Sequence, residues 1–354
     1  MFTEDVLRNA VEQGAADIFL IPGMPLSWKV GGKIIYQTDE KIFPKEIEEM
    51  VREIYALANN RNMDHVMECG DDDFAMALPG ISRFRVNVFR QRGSLAAIIR
   101  VITFDLPDFH NLNIPQVVID ISRMTKGFVL VTGPAGSGKS TTLACIIDQI
   151  NKTRNAHVIT LEDPIEYLHR HNQSVVTQRE IGLDTESYVT GLRAALRQAP
   201  DVILVGEMRD EETIKTALTA AETGHLVIST LHTVGAANTI DRIIDSFPPA
   251  QQEQVRAQLS MVMQAVVSQQ LIPKVEGGVA PAFEVMFFNN AIRNLIRESK
   301  IHQIDNIIAT SQEEGMITMD NSLIKLFREG KISKENAIIY SSNGELMEKK
   351  LARL

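Results

Sequence analysis

The sequence predicts an α/β protein of two domains, a small α+β sheet domain followed by a larger P-loop domain, on three observations. At 354 residues, 44% of them hydrophobic, the chain is too long for one ordinary core and has apolar residues enough for two. Beyond residue 126, short β-branched runs alternate with helical patterns, as in a parallel sheet covered on both faces. At the head of that alternation, the apolar run Gly127-Phe128-Val129-Leu130-Val131-Thr132 enters Gly133-Pro134-Ala135-Gly136-Ser137-Gly138-Lys139-Ser140, a match to G-x-x-x-x-G-K-[ST] between a strand and a helix.

Residues 4–14 place Val6, Leu7, Ala10 and Val11 on one helical face, and 17–21 read as a strand. Segments 26–30 and 33–37 flank Gly31-Gly32, a pair that accepts the positive φ values of a tight hairpin. Pro44 suits the first turn of a helix expected over 45–58, and 73–78, 84–90 and 94–102 read as further strands, the last two joined around Gly93. This α+β domain is placed at 1–103. The stretch 103–115 carries Asp105, Pro107, Asp108 and Pro115 with little periodicity, which puts a linker at 104–114. The P-loop domain, 115–354, continues with a helix from about 139 to 150 and strands at 157–161, 202–205 and 226–231.

Composition narrows the function. The apolar stretch 255–272 is interrupted by glutamines and serines, and the N-terminus starts with acidic residues instead of a basic n-region, so neither a transmembrane segment nor an export signal is expected. Cys69 and Cys145 have no C-x-x-C spacing, which excludes a disulfide framework and a structural zinc site and fits a reducing cytoplasm. Lys and Arg total 36 against 45 Asp and Glu, a net charge of −9 that gives no electrostatic help toward nucleic acid.

The chemistry is read from strand ends. Gly136 and Gly138 keep Cβ atoms out of a phosphate cradle, Lys139 can reach the β- and γ-phosphates, and the Ser140 hydroxyl can ligate Mg²⁺. Hydrolysis also needs a carboxylate to orient or deprotonate water. The run Asp201-Val202-Ile203-Leu204-Val205-Gly206-Glu207 is an apolar strand ending in an acid, which makes Glu207 the expected base. Gly206 stands where many P-loop enzymes place an aspartate, so the metal is expected on Ser140, phosphate oxygens and waters. A third acidic cluster, Glu162-Asp163-Pro164-Ile165-Glu166-Tyr167, follows the strand at 157–161. His225 and His232 bracket the strand at 226–231 and, seven residues apart, point to opposite faces if extended, so they are not expected to form one metal pair.

Taken in order, G-P-A-G-S-G-K-S-T (Gly133 to Thr141), L-E-D-P-I-E-Y, the run ending V-I-L-V-G-E-M-R-D, and T-G-H-L-V-I-S-T-L-H-T resemble the Walker A, Asp box, Walker B and His box of the secretion ATPase superfamily. Ala291-Ile292-Arg293-Asn294-Leu295-Ile296-Arg297-Glu298 resembles the A-I-R-N-L-I-R-E signature of the type IV pilus retraction ATPases, and the likeness extends over nearly the whole chain. The resemblance implies a PAS-like N-terminal domain, a RecA-like ATPase domain, ATP and Mg²⁺ as ligands, and a homo-hexameric ring that drives pilus retraction and twitching motility. It also implies a location at the cytoplasmic face of the inner membrane, against a pilus platform protein. Carried over by position, it gives Lys139 and Ser140 in Walker A, Glu166 as the Asp-box acid, Glu207 as the Walker B glutamate, and His225 with His232 as the His box. Arg85 and Arg100 become candidates to reach the nucleotide on domain closure, where a guanidinium neutralises transition-state charge. Two departures stand out: Ala16-Asp17-Ile18-Phe19 replaces the family's S-D-I-H, and Tyr167 stands where phenylalanine is common.

Pilus-assembly and type II secretion ATPases share the four boxes but usually carry a tetracysteine zinc insertion that two cysteines cannot build. An accessory retraction paralogue is the nearer alternative. A non-hydrolysing docking ring is opposed by intact Lys139 and Glu207, and a nucleic-acid translocase by the acidic charge.

Overall fold

The structure, a computed structural model, describes residues 3–102 and 106–353. It separates into two compact units, Met1–Asp105 with Glu166–Leu168, and Leu106–Ile165 with His169–Leu354. The boundary expected at 103/104 lies outside the described residues.

The first unit contains α1 (Thr3–Glu12), β1 (Asp17–Leu20), β2 (Pro25–Val30), β3 (Lys33–Lys41), α2 (Pro44–Leu57), α3 (Asp64–Cys69), β4 (Asp71–Leu78), β5 (Ser82–Gln91) and β6 (Ser94–Ile102). Its antiparallel sheet runs β3-β2-β1-β6-β5-β4. Gly31 and Gly32 turn β2 into β3 with φ of 57° and 80°, the left-handed pair that a two-residue hairpin needs. Pro44 takes the first turn of α2, where its missing N–H costs nothing. Val6, Leu7 and Ala10 of α1 and Ile47, Val51 and Ile54 of α2 pack on Ile18, Val86 and Ile99 of the sheet. Strict alternation along β5 buries Phe84, Val86 and Val88 and leaves Arg83, Arg85 and Asn87 toward the other face. Inside the core, Asp72 accepts hydrogen bonds from Tyr55 Oη (2.8 Å), Arg61 Nε (3.0 Å) and Arg61 Nη2 (2.9 Å).

The second unit contains α4 (Gln116–Ile119), β7 (Gly127–Thr132), α5 (Lys139–Thr153), β8 (His157–Glu162), β9 (Val175–Glu180), α6 (Tyr188–Ala195), β10 (Val202–Val205), α7 (Glu211–Glu222) and β11 (Leu226–Leu231). It continues with α8 (Ala236–Asp245), α9 (Pro249–Val262), β12 (Met263–Pro273), β13 (Val279–Phe287), α10 (Asn290–Arg297), α11 (Ile304–Thr310), α12 (Met319–Arg328), α13 (Lys334–Ile339) and α14 (Gly344–Leu351). The sheet order is β13-β12-β7-β11-β10-β8-β9, parallel throughout except for β13, which runs antiparallel to β12. Helices cover both faces: α6 to α9 pack on Phe128, Leu130, Ile203 and Val205, while α4 and α5 pack on Val129, Val131, Val202 and Leu204. Parallel strands align their carboxyl ends, so everything that follows β7, β8, β10 and β11 emerges at one edge. Strands β9, β12 and β13 were not foreseen from the sequence. The apolar stretch at 255–272 divides between the end of α9 and β12, whose residues are buried on both faces.

Candidate active site

The P-loop follows β7 as its sequence requires. Gly133 has φ 143°, and a Cβ there would lie 2.1 Å from the Gln269 carbonyl oxygen of the neighbouring strand β12. Gly138, at φ 87°, is the N-cap of α5, and Lys139 and Ser140 open that helix, so its first N–H groups point into the loop. Pro134, Ala135 and Gly136 are exposed, Ser140 and Thr141 half-buried. Lys139 Nζ donates to the carbonyls of Gly133 (2.9 Å) and Pro134 (3.0 Å). The Ser137 and Thr132 hydroxyls are buried and lack a hydrogen-bond partner in the protein. The orphaned Ser137 hydroxyl lies within the loop itself and fits a phosphate chain, whose oxygens would satisfy it.

Glu207 leaves the carboxyl end of β10 with its side chain 13% exposed. Its carboxylate is paired with Arg209 Nη2, and its Oε2 lies 3.5 Å from His232 Nε2, which emerges from the parallel strand β11. Nearby, Glu162 accepts from Thr160 Oγ1 (2.6 Å) and Gln178 Nε2 (3.1 Å). Tyr188, at the start of α6, sets its hydroxyl 2.9 Å from where a Cβ at Gly206 would stand. Burial raises the Tyr188 pKa, and the charges of Glu207, Asp163 and Glu162 add to it.

Not every expected residue arrives here. His225 sits at the amino end of β11, where its Nδ1 meets the Ala220 carbonyl (2.9 Å) and its own carbonyl accepts from Gly127 N (3.0 Å). Gly127 begins β7 and the P-loop follows its other end, so a full strand length separates His225 from His232. Glu166 is exposed, and Glu166–Leu168 groups with the first unit. Arg85 and Arg100 belong to the first unit and face one another across β5 and β6. Asp73 binds Arg85 through two bonds (3.1 and 2.7 Å), and Asp17 accepts from Arg100 Nε (3.0 Å).

The segment Ala291 to Glu298 forms most of α10, capped by Asn289 on Ile292 N (3.0 Å). Ile292 and Ile296 are buried and Leu295 half-buried, while Ala291, Asn294, Arg297 and Glu298 are exposed. Arg293 is half-buried. Its guanidinium donates to the last carbonyls of α9 and lies 5.7 Å from the Phe288 ring centre.

Sequence reasoning passed over Gln269, whose Oε1 accepts from Thr142 Oγ1 of the P-loop helix at 2.7 Å while its carbonyl backs Gly133. The signal was Ser268-Gln269-Gln270, three consecutive polar residues inside a largely apolar strand.

A family model described as Type II/IV secretion system protein matches residues 1–303. Over 333 residues the chain is 44% identical to the type IV pilus retractation ATPase PilT of Pseudomonas aeruginosa, covering 94% of this chain and 96% of the other. It is 47% identical over 301 residues to the twitching motility protein of Neisseria gonorrhoeae, covering 85% and 80% of the two chains. The crystal structure of the pilus retraction motor PilT with bound ADP superimposes with a TM-score of 0.88 at 45% identity over 100% of both chains.

Proposed function

The chain belongs to the type II/IV secretion system protein family, and on that premise we propose that it is an ATPase that powers type IV pilus retraction. The observation that carries the reading is the meeting of Glu207 and His232 on the same carboxyl edge of one parallel sheet from which the P-loop leaves β7. Lys139 exchanges its loop carbonyls for phosphate oxygens, and the Ser137 hydroxyl gains the partner it lacks. Glu207 orients and deprotonates the attacking water, and His232 stands exposed beside it. Mg²⁺ would be held by the Ser140 hydroxyl, and when bound it neutralises charge on the phosphates.

The sheet of the second unit supports a RecA-like ATPase domain, and the six-stranded sheet with helices on one face supports a PAS-like N-terminal domain. Arg85 and Arg100 supply positive charge to the nucleotide within a homo-hexameric ring, and Glu166 acts from its own segment as the Asp-box acid. The ring works at the cytoplasmic face of the inner membrane against a pilus platform protein. No helix among the described residues is long and apolar enough to cross a membrane, which suits a peripheral position. A host strain lacking this chain is expected to keep surface pili and stop retracting them; loss of the pili themselves would assign the chain to assembly instead.

A further inference from the structure

We propose that Glu284 and Ser268 are positioning residues for hydrolysis: together they fix the loop that carries His232. The inference rests on the ATPase reading above. His232 directly follows the last residue of β11, and only Thr233, Val234 and Gly235 separate it from α8. Where that loop stops is therefore decided by whatever holds the first turn of α8.

That turn has no cap of its own, because the N-cap residue is Gly235, at φ 90° and without a side chain. Its N–H groups are taken by two strands instead. Gly235 N donates to Ser268 Oγ (3.0 Å) and Ala236 N donates to Glu284 Oε1 (2.7 Å). Ser268 and Glu284 are direct cross-strand partners in β12 and β13, so one rung of the sheet grips two consecutive amides. The loop is also pinned next to His232, where the Thr233 and Thr239 hydroxyls lie 2.7 Å apart. The second oxygen of Glu284 accepts from Met319 N, the first residue of α12, at 3.3 Å. One carboxylate thus ties the His232 loop to the C-terminal helices.

The choice of a carboxylate is informative. Burial pushes the Glu284 carboxyl pKa up, the N–H groups of Ala236 and Met319 pull it back, and Asp305 and Asp320 push it up again. An acid is costly there, yet only a carboxylate offers two acceptor oxygens to two helix N-termini. Glutamine has the same size but must turn an N–H₂ toward one of those donors.

The test measures ATP turnover against ATP concentration, and affinity for a fluorescent ADP analogue, in the full chain carrying Glu284→Gln, Ser268→Ala or His232→Ala. Glu284→Gln is expected to lower kcat about tenfold while KM and ADP affinity stay within about twofold, because the P-loop is untouched. Added to His232→Ala, the same change is expected to alter kcat by less than about twofold, since its target is gone. If His232→Ala shows no measurable turnover, Ser268→Ala and Glu284→Gln form the cycle, expected to combine less than additively. Should Glu284→Gln not fold, Ser268→Ala, which loses one bond, takes its place against His232→Ala. Turnover at the wild-type level, full additivity, or parallel loss of kcat and ADP affinity would each overturn the inference and leave a plain helix cap. A wild-type chain without turnover would instead remove the ATPase reading.

Discussion

Arg293 Nη1 donates to the Ser260 carbonyl at 2.5 Å and to that of Met261 at 3.2 Å, so α10 caps the end of α9 with a guanidinium. The last carbonyls of a helix lack partners within it, and a cation there also meets the negative end of the dipole. Arg293→Ala is therefore expected to cost about 2 kcal/mol and to lower Tm by several degrees in a thermal melt. Asn294→Ala and Arg297→Ala, on the exposed side of α10, should leave Tm nearly unchanged. If the exposed face engages the retraction machinery, those two variants keep ATP turnover and lose pilus retraction, and normal retraction in both would reduce the face to scaffolding.

Glu207→Gln should lower turnover about a hundredfold or more and leave ADP affinity close to wild type, because the amide keeps the shape but cannot take up a proton. A steady-state assay beside a binding titration separates the two effects. Near-normal turnover would remove Glu207 from the role of base.

Lys139→Ala should instead weaken nucleotide binding itself, by about tenfold or more, as the phosphates lose a charged donor. Gly133→Ala should fail earlier. Its methyl would press on the Gln269 backbone at 2.1 Å, so the expected result is a lowered Tm even before nucleotide is added.

The P-loop could be read directly because each glycine answers a local backbone need. His225 could not be placed by spacing alone. Parity says which face a side chain takes, but the end of the sheet it occupies follows from strand direction, which only the parallel pairing of β11 with β7 settles. Strand β12 was hidden for a different reason: its buried Ser268, Gln269 and Gln270 interrupt the apolar pattern because they serve α8, the P-loop helix and the Tyr340 carbonyl, partners distant in sequence. Arg293 shows the same limit on a helix, since periodicity places the side chain outward while the carbonyls it caps lie more than thirty residues earlier.

The first unit should respond to acid through Asp72. Burial pushes its carboxyl pKa up, but the bonds from Arg61 and Tyr55 outweigh that and hold it below the usual carboxylate value. A lowered folded pKa gives stability that is present above the unfolded carboxylate range and lost as pH falls through it toward the folded value. The wild-type Tm should accordingly drop below about pH 4. Asp72→Asn should melt earlier at neutral pH and show a flatter acid dependence, and parallel Tm curves for the two proteins would contradict this.

If Arg85 and Arg100 act on the nucleotide within a ring, Arg85→Ala or Arg100→Ala should lower kcat more than ADP affinity. Turnover per chain should also rise with protein concentration. A fully active monomer by light scattering would defeat the ring requirement.

Because the first unit is assembled from two stretches of chain, Met1–Asp105 and Glu166–Leu168, no single cut divides the protein into its two units. A fragment beginning at residue 106 would carry three residues whose home unit had been discarded, inside the loop that follows β8. Its inactivity could reflect a misplaced Glu166 as readily as the loss of Arg85 and Arg100. Dissection by truncation therefore confounds those contributions, and only point substitution in the intact chain can assign them.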